Sequence, residues 1–498
     1  MTGNKNINFI IIGSWILIYL FLWFNHESVT VHNGLGWDGV RYGRMAQHFT
    51  TLFHERSFNS YYFQRTFLPG TACLIVYVWN MIRDFFNIGT PVELTDSVVI
   101  QVFALVNYFL LMVSGFIFIK ISDLFNFKAS TKILGFSLLF FSYAILKHNF
   151  YYPVLTDTLA FSLGILLLYF CLANKYKALL VTSLVGYFSF PTIFYTGLIL
   201  FLFEKKTIAR KATVNNLLAL KDKFILVSLF FLVLTYITLI YLNLHTSFAG
   251  KTRTGNNFSC VSILVAVYYV YIGGKYLVTN DLADGLINSI DGKKVIISVT
   301  LFLVLKFINF YYSYYSDHSW IPMSLPKYFF LILSESIANP GTFLVSHFFY
   351  FGPFIALLFF FWNDFLIELK AQSYGYQLIV AMFFLLALGS ESRQLINMVP
   401  FFVFPLIKVL DRCNFKKYFY GIMVILSLIV SRFWFDFNIT QNDVDRPLDF
   451  PAQYYFMNYG YWLSDSVYIV ALVLMMLFFL LIWAIINISS GSKTEFTR

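Results

Sequence analysis

The sequence VYIVALVLMMLFFLLIWAIINI, residues 467–488, contains no charged side chain and is long enough to cross a lipid bilayer as one helix. Similar apolar stretches recur along the 498-residue chain, which is 59% hydrophobic and 12% charged and has a mean hydropathy of +0.71. An ordinary soluble domain has roughly 25% charged residues. The composition therefore excludes a soluble, disordered, coiled-coil or disulfide-scaffold protein. It predicts an all-α, polytopic transmembrane helix bundle.

Fourteen apolar stretches are candidate spans, several of them short, and we expect about 11–14 crossings. The candidates are residues 8–24, 96–120, 132–150, 157–173, 178–190, 192–204, 223–243, 258–275, 294–315, 342–363, 376–389, 398–410, 417–434 and 467–488. The stretch 67–86 is also apolar, but it contains Pro69-Gly70 near its start and Arg83-Asp84 near its end. It is predicted to be an in-plane helix at the outer interface. The first stretch has no small-residue cleavage site and is predicted to be an uncleaved span.

The positions of the charged residues predict the orientation in the membrane. With the N-terminus in the cytoplasm and 67–86 not crossing, most of the 35 Lys and Arg residues lie on the cytoplasmic side, as the positive-inside rule requires. The net charge of +10 is then explained by topology, and no nucleic-acid binding is expected. Both ends of the apolar stretch around Pro191-Thr192 are basic, which predicts a helical hairpin. The segments predicted outside are 25–95, 316–341 and 435–466.

The cysteines and the common catalytic motifs give no sign of a metal or cofactor. Cys73, Cys171, Cys260 and Cys413 lie in or beside apolar stretches without CxxC spacing, which is typical of small core residues. The sequence has no GK[ST] phosphate loop, no HExxH and no GxSxG after a strand. We therefore predict neither a metal site nor a cofactor.

The first candidate site is Gly36-Trp37-Asp38-Gly39-Val40-Arg41-Tyr42, shortly after the first span. The glycines allow a tight backbone beside a bulky substrate. Apolar residues from Val40 to about Phe53 have helical spacing and predict an amphipathic interfacial helix. Asp38 would lie at its start, so the alternative interpretation is a helix cap only.

Two further clusters follow on the predicted outer side. Tyr61-Tyr62-Phe63-Gln64-Arg65 opens the in-plane segment, and its alternative interpretation is an aromatic belt with one snorkelling arginine. The other cluster, residues 147–158, contains His148, Tyr152 and Asp157 at the turn between two spans. Thr156-Asp157 can cap the next helix while leaving carboxylate lone pairs for function.

The fourth cluster is Gly389-Ser390-Glu391-Ser392-Arg393-Gln394, between two short spans. Ionisable groups at membrane depth are costly and mark functional sites by default. An Arg393 fork could bind a lipid phosphate or diphosphate. The alternative is a Glu391–Arg393 pair that only neutralises itself. A loop with Lys251 and Arg253 could add charge to the same anion, although an ordinary solvated loop is the simpler interpretation.

The order of these motifs resembles the GT-C superfamily of integral-membrane glycosyltransferases. The resemblance rests on Asp38 in the first outer loop, Arg65…Pro69 at the in-plane helix, Thr156-Asp157 in the next outer turn and Pro191-Thr192 in a hairpin. It covers residues 1–205, including the outer loop 25–95, and leaves 206–498 as a variable C-terminal transmembrane module. The single acid at position 38, without a DxD pair, argues against the metal-dependent oligosaccharyltransferase branch.

The resemblance implies transfer of a sugar, with inversion, from a polyprenyl-phosphate or polyprenyl-diphosphate donor to a glycan, lipid or protein acceptor. Asp38 would then be the general base, and Asp157 would orient the acceptor. The donor phosphate would be held by Arg393 with Arg65 or His148. The remaining predicted substrate-binding residues are Arg41, Tyr42, Tyr152 and Glu391.

Two other functions remain open from the sequence. An envelope polysaccharide polymerase or ligase has similar chemistry, but such proteins typically expose a large outer loop rich in Arg and His. A transporter or lipid flippase would show related halves and polar residues at the membrane midplane, and no internal repeat is visible. The modest loops favour a multi-pass protein of a bacterial inner membrane whose site faces the periplasm or exterior.

Overall fold

The computed structural model describes residues 2–203, 228–229, 232–237, 260–316, 325–437 and 465–489. The described chain is helical, with 80% helix and no β-strand, which confirms the all-α prediction for these residues. The helices are α1 (Thr2–Asn25), α2 (Gly39–Gln47), α3 (Phe49–Glu55), α4 (Ser60–Phe63), α5 (Phe67–Phe86), α6 (Asp96–Leu124), α7 (Ala129–Phe140), α8 (Asn149–Tyr151), α9 (Asp157–Leu172), α10 (Tyr176–Tyr187), α11 (Pro191–Leu202), α12 (Cys260–Tyr276), α13 (Asn280–Asn288), α14 (Gly292–Tyr312), α15 (Leu325–Ala338), α16 (Thr342–Phe351), α17 (Phe354–Phe360), α18 (Trp362–Lys370), α19 (Tyr374–Leu386), α20 (Val399–Arg412), α21 (Lys417–Ser431) and α22 (Asp465–Ser489).

Several of these helices are long and apolar enough to cross a membrane. Five qualify within the described residues: Asn6–Asn25, Asp96–Leu124, Gly292–Tyr312, Ser392–Arg412 and Val467–Ser489. Two bent helix pairs raise the number to seven if each pair is one span. This indicates a multi-pass membrane protein. Helix length thus supports five to seven full spans in this part of the chain, fewer than the predicted 11–14, because several predicted spans are helices of only 10–17 residues. Most of the candidate span 223–243 lies outside the described residues.

Two predicted spans are broken, which corrects the sequence interpretation. The stretch 342–363 contains α16, α17 and the start of α18, because Gly352 adopts φ 83° and Pro353 follows it. A positive φ favours glycine, and proline lacks the N–H that a continuous helix would need. The stretch 132–150 contains α7 and a π-helical turn at Ala144–His148, with a bend of 54° between the two helical parts. Uniform apolar composition hides such breaks.

The segment between α1 and α6 forms four helices. The predicted helix from Val40 to Phe53 is divided at His48 into α2 and α3. Helix α5 has the predicted bounds, and it packs against α2 and α6. One side of α5 buries Leu68 and Ala72, and the other exposes apolar side chains such as Phe85. This amphipathic pattern suits an interfacial helix, whose placement in a membrane stays a prediction.

The predicted hairpin is present as α10 and α11, which pack along each other. Gly197 makes the close approach possible, because a Cβ there would collide with Ser183 Oγ. At the tip, Thr192 Oγ1 accepts a hydrogen bond of 3.2 Å from the Asn397 amide. The main hydrophobic core contains residues on both sides of the predicted boundary at 205/206. The hairpin tip therefore meets the C-terminal part of the bundle.

Candidate active site

Asp38 lies on a tight turn that packs on the ring of Tyr152. Gly36 adopts φ 65°, and a Cβ there would lie 2.5 Å from the Tyr152 ring. The backbone N–H of Gly39 donates a hydrogen bond of 2.8 Å to Tyr152 Oη. Asp38 occupies the cap position of α2, but its side chain makes no capping hydrogen bond. Helix capping therefore does not explain the carboxylate, and Tyr152 holds its turn in place.

The partner of Asp38 is Arg393, 355 positions later in the chain. Arg393 Nη2 donates to Asp38 Oδ2 at 2.8 Å, and Arg393 Nε donates to Glu391 Oε1 at 2.6 Å. Gln394 donates to the other oxygen of Glu391 at 3.2 Å. Arg393 belongs to a 3₁₀ helix, Ser392–Met398, that leads directly into α20. Residues 38 and 393, to which the resemblance gives roles in one reaction, are in direct contact, and Arg393 does more than neutralise Glu391.

The local charges keep Asp38 ionised. Burial alone would raise the pKa of Asp38, but Arg393, Arg65 and Arg41 together outweigh it, so the pKa lies below its ordinary value. Burial raises the pKa of Tyr62 to about 12 and raises that of Tyr42 as well. Both phenols are therefore neutral at physiological pH. The site thus offers the ionised carboxylate of Asp38 beside neutral hydroxyls and guanidinium groups.

Arg65 and Arg41 reach this site through aromatic rings. The guanidinium of Arg65 lies 3.9 Å from the centre of the Tyr61 ring, and its Nη1 donates to the Tyr61 carbonyl at 3.2 Å. Arg41 lies 5.1 Å from the Tyr62 ring centre. Arg65 is only 9% exposed, so it does not snorkel to solvent. The aromatic cluster instead fixes two cations near Asp38.

Asp157 and His148 are two buried residues that both interact electrostatically with Arg393. Asp157 is the first residue of α9 and is buried. Its Oδ2 atom lies 3.9 Å from His148 Nδ1, which is too far for a hydrogen bond, and accepts no other hydrogen bond. Arg393, Glu391 and Asp38 all act on it electrostatically. Thr156 makes no side-chain cap of α9. A buried carboxylate oxygen without a donor favours a hydroxyl or water partner.

A small cavity of about 70 Å³, lined by both polar and apolar side chains, adjoins Glu391. Its polar lining includes Thr192 at the hairpin tip, Tyr328, Glu335, Glu391 and Gln394. Glu335 Oε2 accepts hydrogen bonds from the N–H and the hydroxyl of Ser390 at 3.2 and 3.1 Å. Burial first, and then the neighbouring Glu391, raise the pKa of Glu335 to about 8. Glu335 is therefore mostly protonated at pH 7 and can donate a hydrogen bond into the cavity.

The sequence interpretation missed Tyr328, which has no distinguishing signal among 34 tyrosines. Two other arginines have aromatic partners of their own. Arg56 stacks on Tyr311 and Tyr315, with its guanidinium 5.0 and 4.8 Å from the two ring centres. Arg432 is buried 4.2 Å from the Tyr143 ring centre and donates to the Phe349 carbonyl. Lys251 and Arg253, the cations that could add charge to the same anion, lie outside the described residues.

The described part of the chain contains no group of three or more His, Cys, Asp or Glu side chains that could hold a metal ion. No family model, no curated protein and no solved structure matches this chain.

Proposed function

We propose that this protein is an inverting membrane glycosyltransferase that takes a sugar from a polyprenyl-phosphate or polyprenyl-diphosphate donor. The observation that carries the proposal is the ion pair between Asp38 and Arg393. It joins a carboxylate from a loop to a guanidinium at the end of an apolar helix. Such a pair supplies both groups the reaction needs, a base for the acceptor and a cation for the leaving phosphate.

Donor binding changes the partner of Asp38. The donor phosphate takes the guanidinium of Arg393, since an arginine fork matches two phosphate oxygens. The Asp38 carboxylate loses its strongest stabilising charge and becomes a better base. The partial exposure of both side chains, 18% for Arg393 and 47% for Asp38, leaves room for this exchange.

The transfer is a single displacement. Asp38 removes the proton from the acceptor hydroxyl, and the acceptor oxygen forms a bond to the anomeric carbon of the sugar. The bond from that carbon to the phosphate oxygen breaks, and the phosphate leaves with the electron pair, stabilised by Arg393 and Arg65. Asp157 accepts a hydrogen bond from a sugar or acceptor hydroxyl through its unpaired Oδ2.

The orientation in the proposal follows the charge distribution of the sequence, so the site faces away from the cytoplasm of a bacterial inner membrane. An acceptor on that face is a glycan, a lipid or a protein of the cell envelope.

The direct test is sugar transfer by Asp38→Asn. Membrane vesicles containing the protein, and hence membrane acceptors, are supplied with a panel of radiolabelled polyprenyl-phosphate sugars. Loss of the base should lower the transfer rate by roughly 10²–10⁴-fold. The matched control is Asp96→Asn. The carboxylate of Asp96 accepts a hydrogen bond of 2.8 Å from the Gln47 amide and belongs to a different hydrogen-bonded group from Arg393. Wild-type transfer by Asp38→Asn would contradict the proposal.

A further inference from the structure

The small cavity beside Glu391 has two acids in its wall and no cation among the described residues that line it. The acids are Glu335 and Glu391, and the other polar groups are the hydroxyls of Thr192 and Tyr328 and the amide of Gln394. The rest of the described wall consists of apolar side chains and one glycine. A group that enters this cavity therefore meets oxygen atoms on one side and hydrocarbon on the other.

Glu335 has a carboxyl oxygen that the described protein leaves without a partner. The residue is 8% exposed, and its Oε2 accepts hydrogen bonds from the N–H and the hydroxyl of Ser390 at 3.2 and 3.1 Å. In the described part of the chain no donor bonds to the other oxygen, Oε1, and Glu335 forms no ion pair. A buried polar atom without a hydrogen bond is unfavourable. Because Glu335 lines the cavity, a donor bound there would complete the hydrogen bonding of Oε1.

The charges around this cavity favour a cationic ligand. Glu391 has a guanidinium partner, since Arg393 Nε donates to its Oε1 at 2.6 Å, and its Oε2 accepts from Gln394 at 3.2 Å. Glu335 has instead a neighbour of the same charge, because Glu391 acts on it electrostatically and disfavours its ionised form. The two acids would repel an anion. A positive charge in the cavity would favour the ionised form of Glu335 and remove this repulsion.

The size of the cavity restricts the ligand to a small substituent. Its volume of about 70 Å³ exceeds the roughly 10–15 Å³ that a water molecule needs. It is far below the roughly 300–1,000 Å³ of a pocket for a whole small ligand. A primary ammonium group has three donors and one positive charge, and the carbon atoms beside it can contact the apolar wall. A hydroxyl group is equally small, but it brings no charge to the two acids.

We propose that this cavity is a recognition subsite for a primary ammonium group carried by a substrate. The inference rests on the proposed function only for the nature of that substrate, which is the transferred sugar or the acceptor. Glu391 connects the subsite to the reaction, because its carboxylate lines the cavity and also accepts from Arg393. A substrate bound at Arg393 can therefore place a neighbouring substituent against Glu335. Glu335 is then a specificity-determining residue and takes no part in bond breaking.

The test compares substrates that differ by one hydroxyl and one ammonium group. Undecaprenyl phosphate carrying glucose is compared with the analogues in which one sugar hydroxyl is replaced by an amino group, and the same sugars are tested without the lipid phosphate. Binding to the purified full-length protein in detergent at pH 7 is measured by native mass spectrometry for the lipids and by saturation-transfer NMR for the free sugars. At least one amino analogue should bind roughly tenfold more tightly than its hydroxyl parent, since hydrogen bonds between charged groups are stronger than neutral ones. A preference confined to the phosphate-linked sugars assigns the ammonium group to the donor, and one confined to the free sugars assigns it to the acceptor.

Glu335→Gln replaces the unpartnered oxygen by a donor. The two Ser390 donors hold the carbonyl oxygen of the glutamine, so its amide nitrogen faces the cavity and opposes an ammonium group. This variant should abolish the preference for the amino analogue. Glu335→Asp keeps the charge but shortens the side chain, so it should reduce the preference several-fold, and it serves as the test if Glu335→Gln does not fold. Glu93→Gln removes an exposed acid outside the cavity wall and should keep the wild-type preference.

Two results would overturn the inference: equal binding of hydroxyl and amino substrates by the wild type, or a preference that persists in both Glu335 variants. The transfer assay of Asp38→Asn separates the subsite from the proposed reaction. An amino preference that Glu335→Gln abolishes, together with wild-type transfer by Asp38→Asn, would establish the subsite and refute the transferase. Loss of transfer in Asp38→Asn without any amino preference in the wild type would support the transferase and overturn the subsite.

Discussion

The helical segment from Ser392 to Arg412 has a cluster of opposite charges at each end, and the two clusters are built differently. At one end a single guanidinium, Arg393, lies between the carboxylates of Asp38 and Glu391. At the other end a single carboxylate, Glu368, lies between Lys408 and Arg412. The Glu368 side chain is 3% exposed, whereas that of Asp38 is 47% exposed.

The difference separates a structural ion cluster from one suited to ligand exchange. Glu368 lies on α18, which packs against α20, so its two cationic partners come from an adjacent helix. Asp38 lies on a turn outside the long helices and shares its arginine with a second acid. An incoming anion can compete for Arg393 because the pair is partly open to solvent. At Glu368 the carboxylate itself is enclosed.

The largest expected difference in transfer rate is between variants of the arginines at the two ends of this segment. Arg393→Ala removes the group that stabilises the leaving phosphate and should lower the transfer rate by roughly 10²–10³-fold. Arg412→Ala removes an arginine from the same helical segment, but one that pairs with Glu368, and should leave the rate unchanged. The measurement is label transfer in vesicles at equal protein amounts. Equal effects of the two variants would show that the two ends do not differ in function.

The next effect is on stability. Here the larger loss is expected at the Glu368 end of the segment and the smaller loss at the Asp38 end. Glu368→Ala leaves Lys408 and Arg412 without their shared acid and should lower the free energy of unfolding by about 1.5–3 kcal/mol. Asp38→Ala removes a partly exposed pair and should cost about 0–1 kcal/mol. Denaturation of the two detergent-purified variants measures both values. A larger loss for Asp38→Ala would mean that the Asp38 pair is mainly structural.

The sequence predicted the charged residues around Arg393 better than it predicted the path of the helices. Acids and arginines at membrane depth are rare and costly, so Asp38, Asp157 and Arg393 were recognisable as individuals. The resemblance assigned all three to one reaction, and the contact between Asp38 and Arg393 agrees with that assignment. The hairpin was predictable because Pro191 interrupts an apolar stretch with two basic ends.

The remaining features depend on packing that composition does not record. The breaks at Gly352 and after α7 lie inside apolar stretches whose hydropathy is continuous. Tyr328 and the apolar part of the cavity wall consist of residue types that occur everywhere in this chain. The hydrogen bond between His347 and Ser392 joins residues 45 positions apart and leaves no periodic pattern. Such contacts become visible only when the helices are in place.

A smaller effect concerns pH. Transfer requires ionised Asp38, so the rate should fall as the pH falls through the pKa of this carboxyl. Arg393 is the strongest of the charges that lower that pKa. In Arg393→Ala the pKa of Asp38 in the donor-free protein rises, so the acid limb of the residual kcat/KM should move to higher pH. The ion pair also stabilises the wild-type fold at pH values above the unfolded-state pKa of Asp38, and Arg393→Ala loses this contribution. Arg412→Ala should keep the wild-type limb, and an unshifted limb in Arg393→Ala would exclude Asp38 as the titrating base.

The smallest expected effect concerns the turn beneath Asp38. Tyr152→Phe removes only the hydroxyl that accepts from the Gly39 N–H at 2.8 Å, and leaves the ring that packs against Gly36. One lost hydrogen bond costs about 1 kcal/mol, so the transfer rate should fall about fivefold if that bond orients Asp38. Tyr418→Phe is the matched control. The Tyr418 hydroxyl donates a hydrogen bond of 2.9 Å to the Ile488 carbonyl, and neither residue belongs to the Asp38 cluster. Equal rates for the two variants would mean that the ring alone positions the turn, since the polar contact would then add nothing to the placement of the base.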